Sequence, residues 1–290
     1  MGPTEGWWTW SSDVRDLLHA LTELGKSLPA PVLTNIGFSE YDYTLEVPKE
    51  FVLPSDLRAA MENFAAALHL TTSSSLRLLT GLLPPEVSAH ALRLLLAASR
   101  SYIARLTGDP YSAIFAPLGV VGRTRQMHFA LHADLYPSAF LLNIFDNVPS
   151  DSSGRSLFLP TERFVEIIDS IRCIPQEIRA IMVTCLDQPL QEDRYQYFFD
   201  LLHGSHPWTE EVEARMQEQT YEIKLFRGEG YLMNDRQWLH GRTAPSGGVP
   251  SNRLYRLVFD SKETLAVRRS SMPSAANNVS SDVNLWTRTS

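Results

Sequence analysis

His132 and Asp134 stand two positions apart in the stretch LHADLYP, and both side chains can bind a metal ion. Two imidazoles and one carboxylate can hold Fe(II) on one face of an octahedron and leave three positions open for other ligands. The spacing is weak evidence when taken alone. In a chain of 290 residues with 8 histidines and 33 acidic residues, chance predicts about one histidine followed by an acid two residues later. A metal site therefore requires further residues at compatible positions.

The residues around this pair alternate as in a β-strand, and one face of that strand is polar. This face carries Gln126, His128, Ala130, His132 and Asp134. Such a face is too polar to pack against an apolar core, whereas it suits the lining of a pocket. His128 is expected to reach the same cavity as His132, with Gln126 further out. Both are candidates for hydrogen bonding to a substrate or cosubstrate, or for orienting other side chains.

A third metal ligand must come from a distant part of the chain, and three histidines lie downstream. His203 and His206 stand in LLHGSHPW, a segment typical of a loop, and are interpreted as solvated or locally hydrogen-bonded. His240 stands in GEGYLMNDRQWLHGRT, where a glycine-bounded turn leads into a strand. A buried-looking strand that carries Arg253 and Arg256 follows.

The order of these segments resembles that of the Fe(II)/2-oxoglutarate-dependent oxygenases of the taurine dioxygenase and clavaminate synthase type. GEGYLMND, LHGRT and NRLYR follow one another as in the C-terminal signature of that family. SSGRSLFLP, which contains Ser156, matches the family's glycine-rich segment downstream of the His-x-Asp pair. The resemblance covers about residues 111–260.

The resemblance implies that His132, Asp134 and His240 hold Fe(II), with 2-oxoglutarate and O2 taking the open positions. Arg253 would pair with the distal carboxylate of 2-oxoglutarate, assisted by the Ser156 hydroxyl, because a guanidinium binds a carboxylate through two parallel hydrogen bonds.

Arg256 is a second candidate for binding the cosubstrate. Regular strand alternation places it on the face opposite Arg253, and a bulge in the strand would exchange the two assignments. The pair Asn234-Asp235 is reversed relative to the commoner Asp-Asn order of the family, so its supporting role is open.

The implied reaction is hydroxylation or desaturation of an unactivated C–H bond, with release of succinate and CO2. Asp134 argues against halogenation, because halogenases of this type have a small residue at that position. Arg242, together with Arg123 and Arg125, fits a substrate that carries a carboxylate, such as an amino acid or a related biosynthetic intermediate, although ordinary surface charge is the alternative. Asn143 is either a hydrogen-bonding residue of the pocket or a residue at a strand end.

Two other functional classes use the same residue types. A cupin-like or zinc-dependent metalloenzyme could use the His/Asp/His donors, since zinc accepts them as well. Such an enzyme would not need Arg253 or Ser156. A binding module that keeps only the fold would need neither the metal ligands nor the arginine.

The elements that must position these residues fall into two regions. Apolar spacing of three to four residues predicts helices over 11–28, 54–70 and 85–108, and again near 161–172, 176–186 and 208–219. From residue 111 short alternating runs predict strands, YQYFFDLL among them. We expect a mainly β fold with α, a double-stranded β-helix (jelly-roll) core with helices packed outside it. One domain spans 1–290, with a helical N-terminal region (1–110), the catalytic core (111–260) and a C-terminal extension (261–290).

Composition narrows the cellular setting and the partners. The net charge of −7 and the lack of a basic stripe argue against binding to nucleic acid or to an anionic membrane. The start MGPTEGWWTWSS does not have the pattern of a secretory signal, so a cytoplasmic protein is expected. The partner expected is a small-molecule substrate, and the oligomeric state is open.

Overall fold

Two β-sheets and seven helices make up the part of the chain that a computed structural model describes. The described residues are 7–9, 12–36, 43–70, 76–80, 88–108, 112–116, 129–133, 140–145, 154–187, 192–243 and 254–259. The strands are β1 (Trp7–Thr9), β2 (Val32–Asn35), β3 (Tyr43–Glu46), β4 (Leu76–Thr80), β5 (Ala113–Ala116), β6 (Phe129–His132), β7 (Phe140–Phe145), β8 (Ser156–Pro160), β9 (Tyr221–Ile223), β10 (Gly230–Met233), β11 (Trp238–Arg242) and β12 (Leu254–Phe259). The helices are α1 (Ser12–Gly25), α2 (Ser55–Leu70), α3 (Ala89–Thr107), α4 (Thr161–Ser170), α5 (Gln176–Asp187), α6 (Glu192–His203) and α7 (Thr209–Gln219).

The larger sheet has eight strands in the order β1-β4-β10-β7-β12-β5-β3-β2, and the smaller sheet has four in the order β6-β11-β8-β9. Neighbouring strands are antiparallel except for β1 and β4, which are parallel. This gives the mainly β architecture with α that the sequence predicts.

Alternation along β12 shows how the layers pack. Tyr255 and Leu257 join the apolar cluster formed with α1, α2 and α3, which we name the N-terminal helical layer. Leu254 and Val258 point to the opposite side and pack with Phe158 and Trp238 of the smaller sheet. The two sheets therefore face each other across a shared interior, because successive strand residues point to opposite faces.

The outer face of the smaller sheet is covered by a second helical layer. Leu131 of β6 and Leu239 of β11 pack with apolar side chains of α4 to α7, which we name the C-terminal helical layer. Each sheet thus has one face toward helices and one toward the interior, as expected for strands that bury both faces.

The helix predictions that depend on local signals are confirmed. Helix α3 begins after Ser88, whose hydroxyl accepts a hydrogen bond from the Ala91 amide at 3.1 Å, and it ends at Gly108 with φ of 69°. Helices α1, α2, α4, α5 and α7 also lie where spacing predicts them. No described helix is long and apolar enough to cross a membrane.

Two predictions about the elements are wrong. YQYFFDLL belongs to helix α6 and not to a strand, and its buried Phe198, Leu201 and Leu202 have helical spacing. The N-terminal region is not only helical, because β1 to β4 add strands to the larger sheet.

Candidate metal and cosubstrate site

Two histidines that are far apart in sequence meet on the smaller sheet. Strands β6 and β11 are antiparallel neighbours, and their register places His240 directly opposite His132. The centroids of the two imidazole rings lie 4.5 Å apart, with the ring planes at 45°. His132 and His240 stand on the interior side of their strands, because Leu131 and Leu239 point to the C-terminal helical layer.

The nitrogens of the two rings have defined surroundings. His132 Nδ1 lies 2.8 Å from the carbonyl oxygen of Ala130. A carbonyl oxygen only accepts hydrogen bonds, so Nδ1 carries the proton and Nε2 is the nitrogen with a lone pair suited to a metal ion. His240 is 4% exposed, and its Nδ1 lies 3.3 Å from Oδ1 of the fully buried Asp235. A carboxylate beside Nδ1 also favours the tautomer that binds a metal through Nε2.

Asp235 is a residue whose role the motif order left open. Its carboxylate follows strand β10 in the turn that leads to β11, and it stands next to the ring of His240. The reversed order Asn234-Asp235 thus places a carboxylate, and not an amide, beside this histidine. Asn234 instead accepts a hydrogen bond from the Arg236 amide at 3.0 Å, which shapes the turn.

The third predicted ligand, Asp134, lies outside the described residues, as do Gln126, His128 and Arg253. Within the described ranges, no group of three histidine, cysteine or acidic side chains could hold a metal ion. The structure therefore brings together two of the three predicted ligands.

Strand β6 departs from regular pairing beside His132. His240 pairs with His132 and Arg242 pairs with Phe129, so two steps along β11 correspond to three steps along β6. One extra residue in a strand is a β-bulge, and it interrupts the alternation of side chains. The alternation that placed Gln126 and His128 on the face of His132 runs through this bulge.

Ser156 and Arg242 lie opposite each other on adjacent strands of the smaller sheet. Ser156 is buried, and Arg242 is half-buried on the interior face with His240. Burial lowers the pKa of the Arg242 guanidinium, and the nearby Tyr231 opposes that shift. A carboxylate bound beside a cation that is shielded from bulk water stabilises that cation strongly.

At this end of the sheet, the segment that contains Gly154 packs directly on the segment that contains Thr243. The Arg155 amide donates to the Thr243 hydroxyl at 2.8 Å, and the Thr243 amide donates to the Arg155 carbonyl at 2.9 Å. A Cβ at Gly154 would collide with the carbonyl oxygen of Thr243 and would lie 3.0 Å from Nε of Arg242. Glycine is required here because the two chain segments approach so closely.

The larger sheet supplies a second polar pair to the interior. Arg256 of β12 stands opposite Asn143 of β7, and Arg256 Nε donates to Asn143 Oδ1 at 2.9 Å. Asn143 is fully buried, and within the described residues its Nδ2 has no hydrogen-bond acceptor. A buried donor without an acceptor is costly, and a carboxylate ligand could satisfy it.

Aromatic side chains lie between the His132–His240 pair and the Arg256–Asn143 pair. Phe158 of β8 stands opposite His240, and its ring packs edge-on against Tyr231 of the larger sheet with 4.8 Å between centroids. Tyr231 in turn stands opposite Asn143. The imidazoles and the Arg256–Asn143 pair thus occupy facing inner surfaces of one interior.

Of the two alternatives for His203, solvated or locally hydrogen-bonded, the first is wrong, and the hydrogen bonds that it makes are not all local. Its side chain is 12% exposed, and Nε2 lies 2.9 Å from the carbonyl oxygen of Leu131, 72 residues earlier in the chain. His206 fits the interpretation of local bonding, because it lies 3.0 Å from Asp200 and stacks on Trp208. The helical spacing in YQYFFDLL was the signal that could have placed His203 at the end of a helix.

Comparison with solved structures finds chains that are similar to this one over most of its length. Asparagine oxygenase AsnO is 11% identical, with a TM-score of 0.44, over 87% of this chain and 91% of that chain. The non-haem iron oxygenase OrfP in complex with Fe and alpha-ketoglutaric acid is 11% identical, with a TM-score of 0.44, over 90% of this chain and 95% of that chain.

No protein-family model matches the chain, and no curated protein sequence does.

Proposed function

We propose that the protein is an Fe(II)- and 2-oxoglutarate-dependent oxygenase with a jelly-roll core. It hydroxylates or desaturates an unactivated C–H bond of a small molecule and releases succinate and CO2. The observation that carries this proposal is that the paired imidazoles of His132 and His240 and the Arg256–Asn143 pair stand on inner faces of the two sheets, which meet through Phe158 and Tyr231.

The residues present fit a mononuclear iron site. His132 and His240 would bind the metal through Nε2, and Asp134 would complete the facial triad. Asp235 would hold the His240 ring in the tautomer that the metal needs. When bound, Fe(II) would supply the activation of O2 that couples decarboxylation of 2-oxoglutarate to oxidation of the substrate.

The cosubstrate would be anchored by the larger sheet. Arg256 stands on the interior side of β12, where Asn143 accepts a hydrogen bond from its Nε, and its guanidinium would pair with a carboxylate of the cosubstrate. Asn143 Nδ2 would donate a further hydrogen bond, and Ser156 would contribute its hydroxyl. We therefore assign the anchoring role to Arg256 in preference to Arg253, which the motif spacing favoured.

The substrate would carry a carboxylate, as an amino acid or a related natural-product intermediate does. Arg242 supports this choice, since it is a half-buried cation on the same face as His240. Gln126 and His128 are proposed as further substrate contacts, whereas Asn143 is reassigned to holding Arg256. One cytoplasmic oxygenase domain spanning 1–290 is part of the same proposal.

The decisive experiment is anaerobic titration with Fe(II) and 2-oxoglutarate. Chelation of Fe(II) by 2-oxoglutarate should give a weak visible charge-transfer band, and the His132→Ala variant should lose it. His206→Ala is the matched control and should keep it, since His206 contacts Asp200 and Trp208 outside the site. A wild-type protein without the band at saturating ligand would refute the assignment. Metal binding that is indifferent to 2-oxoglutarate would instead support a zinc-dependent or cupin-like enzyme.

A further inference from the structure

Strand β6 carries a candidate metal ligand, yet its own sheet restrains it weakly. Within the described part of the chain, it has four residues, lies at the edge of the smaller sheet and pairs with β11. The bulge between Phe129 and His132 breaks the regular ladder just before the ligand. Edge strands with irregular pairing have more freedom to shift than central strands, so other contacts must define the position of His132.

One such contact comes from the C-terminal helical layer. His203 is the last residue of α6, and its Nε2 donates a hydrogen bond to the carbonyl oxygen of Leu131. Leu131 directly precedes His132 in the chain. His203 Nδ1 lies 3.0 Å from Oε1 of Glu213 on α7. The Phe199 ring, one turn earlier on α6, lies 4.8 Å from the imidazole. The imidazole therefore joins β6, α6 and α7 at the position next to the candidate ligand.

The partners of His203 exclude it as a metal ligand in this arrangement. A carbonyl oxygen cannot donate, so Nε2 must carry a proton and has no lone pair for a metal ion. On the other side of the ring, Oε1 of Glu213 lies 3.0 Å from Nδ1 and occupies the direction from which a metal ion would approach that nitrogen. Among the described residues, His203 reaches the site through the backbone of β6.

We propose that His203 is a positioning residue for the metal centre, and that its Nε2–H holds the Leu131 carbonyl so that His132 faces His240. This inference rests on the proposed function, because it assumes that His132 binds Fe(II). A shift of β6 would separate the two imidazoles, which now lie 4.5 Å apart between ring centroids. The expected result of losing the contact is weaker iron binding in a protein that is otherwise folded.

Two substitutions of similar chemistry separate positioning from general stability. In His203→Gln, the amide nitrogen can occupy the place of Nε2 and keep the hydrogen bond to Leu131. In His203→Asn, the shorter amide reaches only the place of Nδ1, so it keeps the contact with Glu213 and loses Leu131. Removing a partner outside the coordination sphere typically costs 10–100-fold in metal affinity, and we expect about tenfold for His203→Asn. His203→Gln should stay within about twofold of the wild type, as should the control His206→Asn.

The measurement is an anaerobic Fe(II) titration at saturating 2-oxoglutarate, read from the charge-transfer band, with thermal unfolding of each variant recorded in parallel. Equal iron affinities for His203→Gln and His203→Asn would overturn the proposal, whatever their unfolding temperatures. Similar unfolding temperatures with weaker binding only in His203→Asn would support it. Failure of the proposed function is distinguishable, because then the wild type itself would show no band.

Discussion

Strand β12 has six residues and pairs with β7 on one side and β5 on the other, whereas β6 has four residues and pairs with β11 through a bulge. The register of β12 is continuous from Leu254 to Phe259 against β7. These two strands carry Arg256 and His132, which are the proposed cosubstrate anchor and a proposed metal ligand.

The difference shows that two kinds of restraint hold the candidate site. Arg256 is positioned by β12, which pairs with a strand on each side. The opposite face of β12 packs in the apolar cluster of the N-terminal helical layer. His132 is placed by contacts that side chains make with backbone carbonyls, from its own Nδ1 to Ala130 and from His203 to Leu131. Substitutions near β12 should therefore change overall stability first, and substitutions near β6 should change metal binding first.

The largest effect expected is on stability, from Leu257→Ala in β12. Leu257 is fully buried against the N-terminal helical layer, and truncation of such a leucine lowers the free energy of unfolding by about 2–5 kcal/mol. Iron affinity of the folded variant should be nearly unchanged. Denaturant unfolding measures the loss, and Val52→Ala, at a side chain that is 72% exposed, is the control. A selective loss of iron binding would contradict the separation of the two restraints.

Arg256→Ala should weaken 2-oxoglutarate binding about 100-fold, because removing one member of a buried, hydrogen-bonded charged pair costs about 2–5 kcal/mol. Affinity for Fe(II) alone should change little, since the imidazoles lie on the other sheet. The dependence of succinate formation on 2-oxoglutarate concentration measures the effect. Arg253→Ala is the comparison, and a larger loss in that variant would return the anchoring role to Arg253.

Asp235→Asn should weaken Fe(II) binding about tenfold, because the ring of His240 would lose the carboxylate that favours its metal-binding tautomer. Binding of 2-oxoglutarate to the iron-loaded protein should change less. Asp200→Asn is a matched control, since Asp200 also pairs with a histidine, His206, at 3.0 Å outside the site. Equal iron affinities in the two variants would remove Asp235 from the metal centre.

The smallest effect expected concerns the pH dependence of stability through His90. Burial, together with the charge of Arg93, lowers the pKa of the His90 imidazole in the folded protein. Because the unfolded chain then binds a proton more readily, stability should be complete above about pH 6.5 and should fall as the pH drops below it. His90→Gln should flatten this decline, as measured by thermal unfolding between pH 7.5 and pH 5.5. An identical decline in the variant would place its origin elsewhere.

The sequence predicted those parts of the fold that local chemistry specifies. Capping residues and apolar spacing of three to four residues define α1, α2 and α3, and they need no distant partner. The short N-terminal strands are different, because β1 exists through pairing with Leu78 to Thr80 and β3 through pairing with β2 and Phe115. Such partners are chosen by the tertiary structure, which spacing along the chain does not contain.

The same division holds for the candidate site. Motif order pointed to His132 and His240, and the sheet places them side by side. The contacts of Asp235 with His240 and of His203 with the Leu131 carbonyl were not predicted, because each depends on how a turn or a helix packs against the sheet. Asn143 was recognised as unusual in an apolar strand, but its partner Arg256 is 113 residues away.

The extra residue in β6 has a consequence for comparing this chain with other proteins. Between Phe129 and His132 the extra residue interrupts the regular alternation of side chains in β6. Any alignment that runs through this point without a gap will match inward residues of one protein to outward residues of another. Substrate contacts inferred from such an alignment would then be displaced by one position.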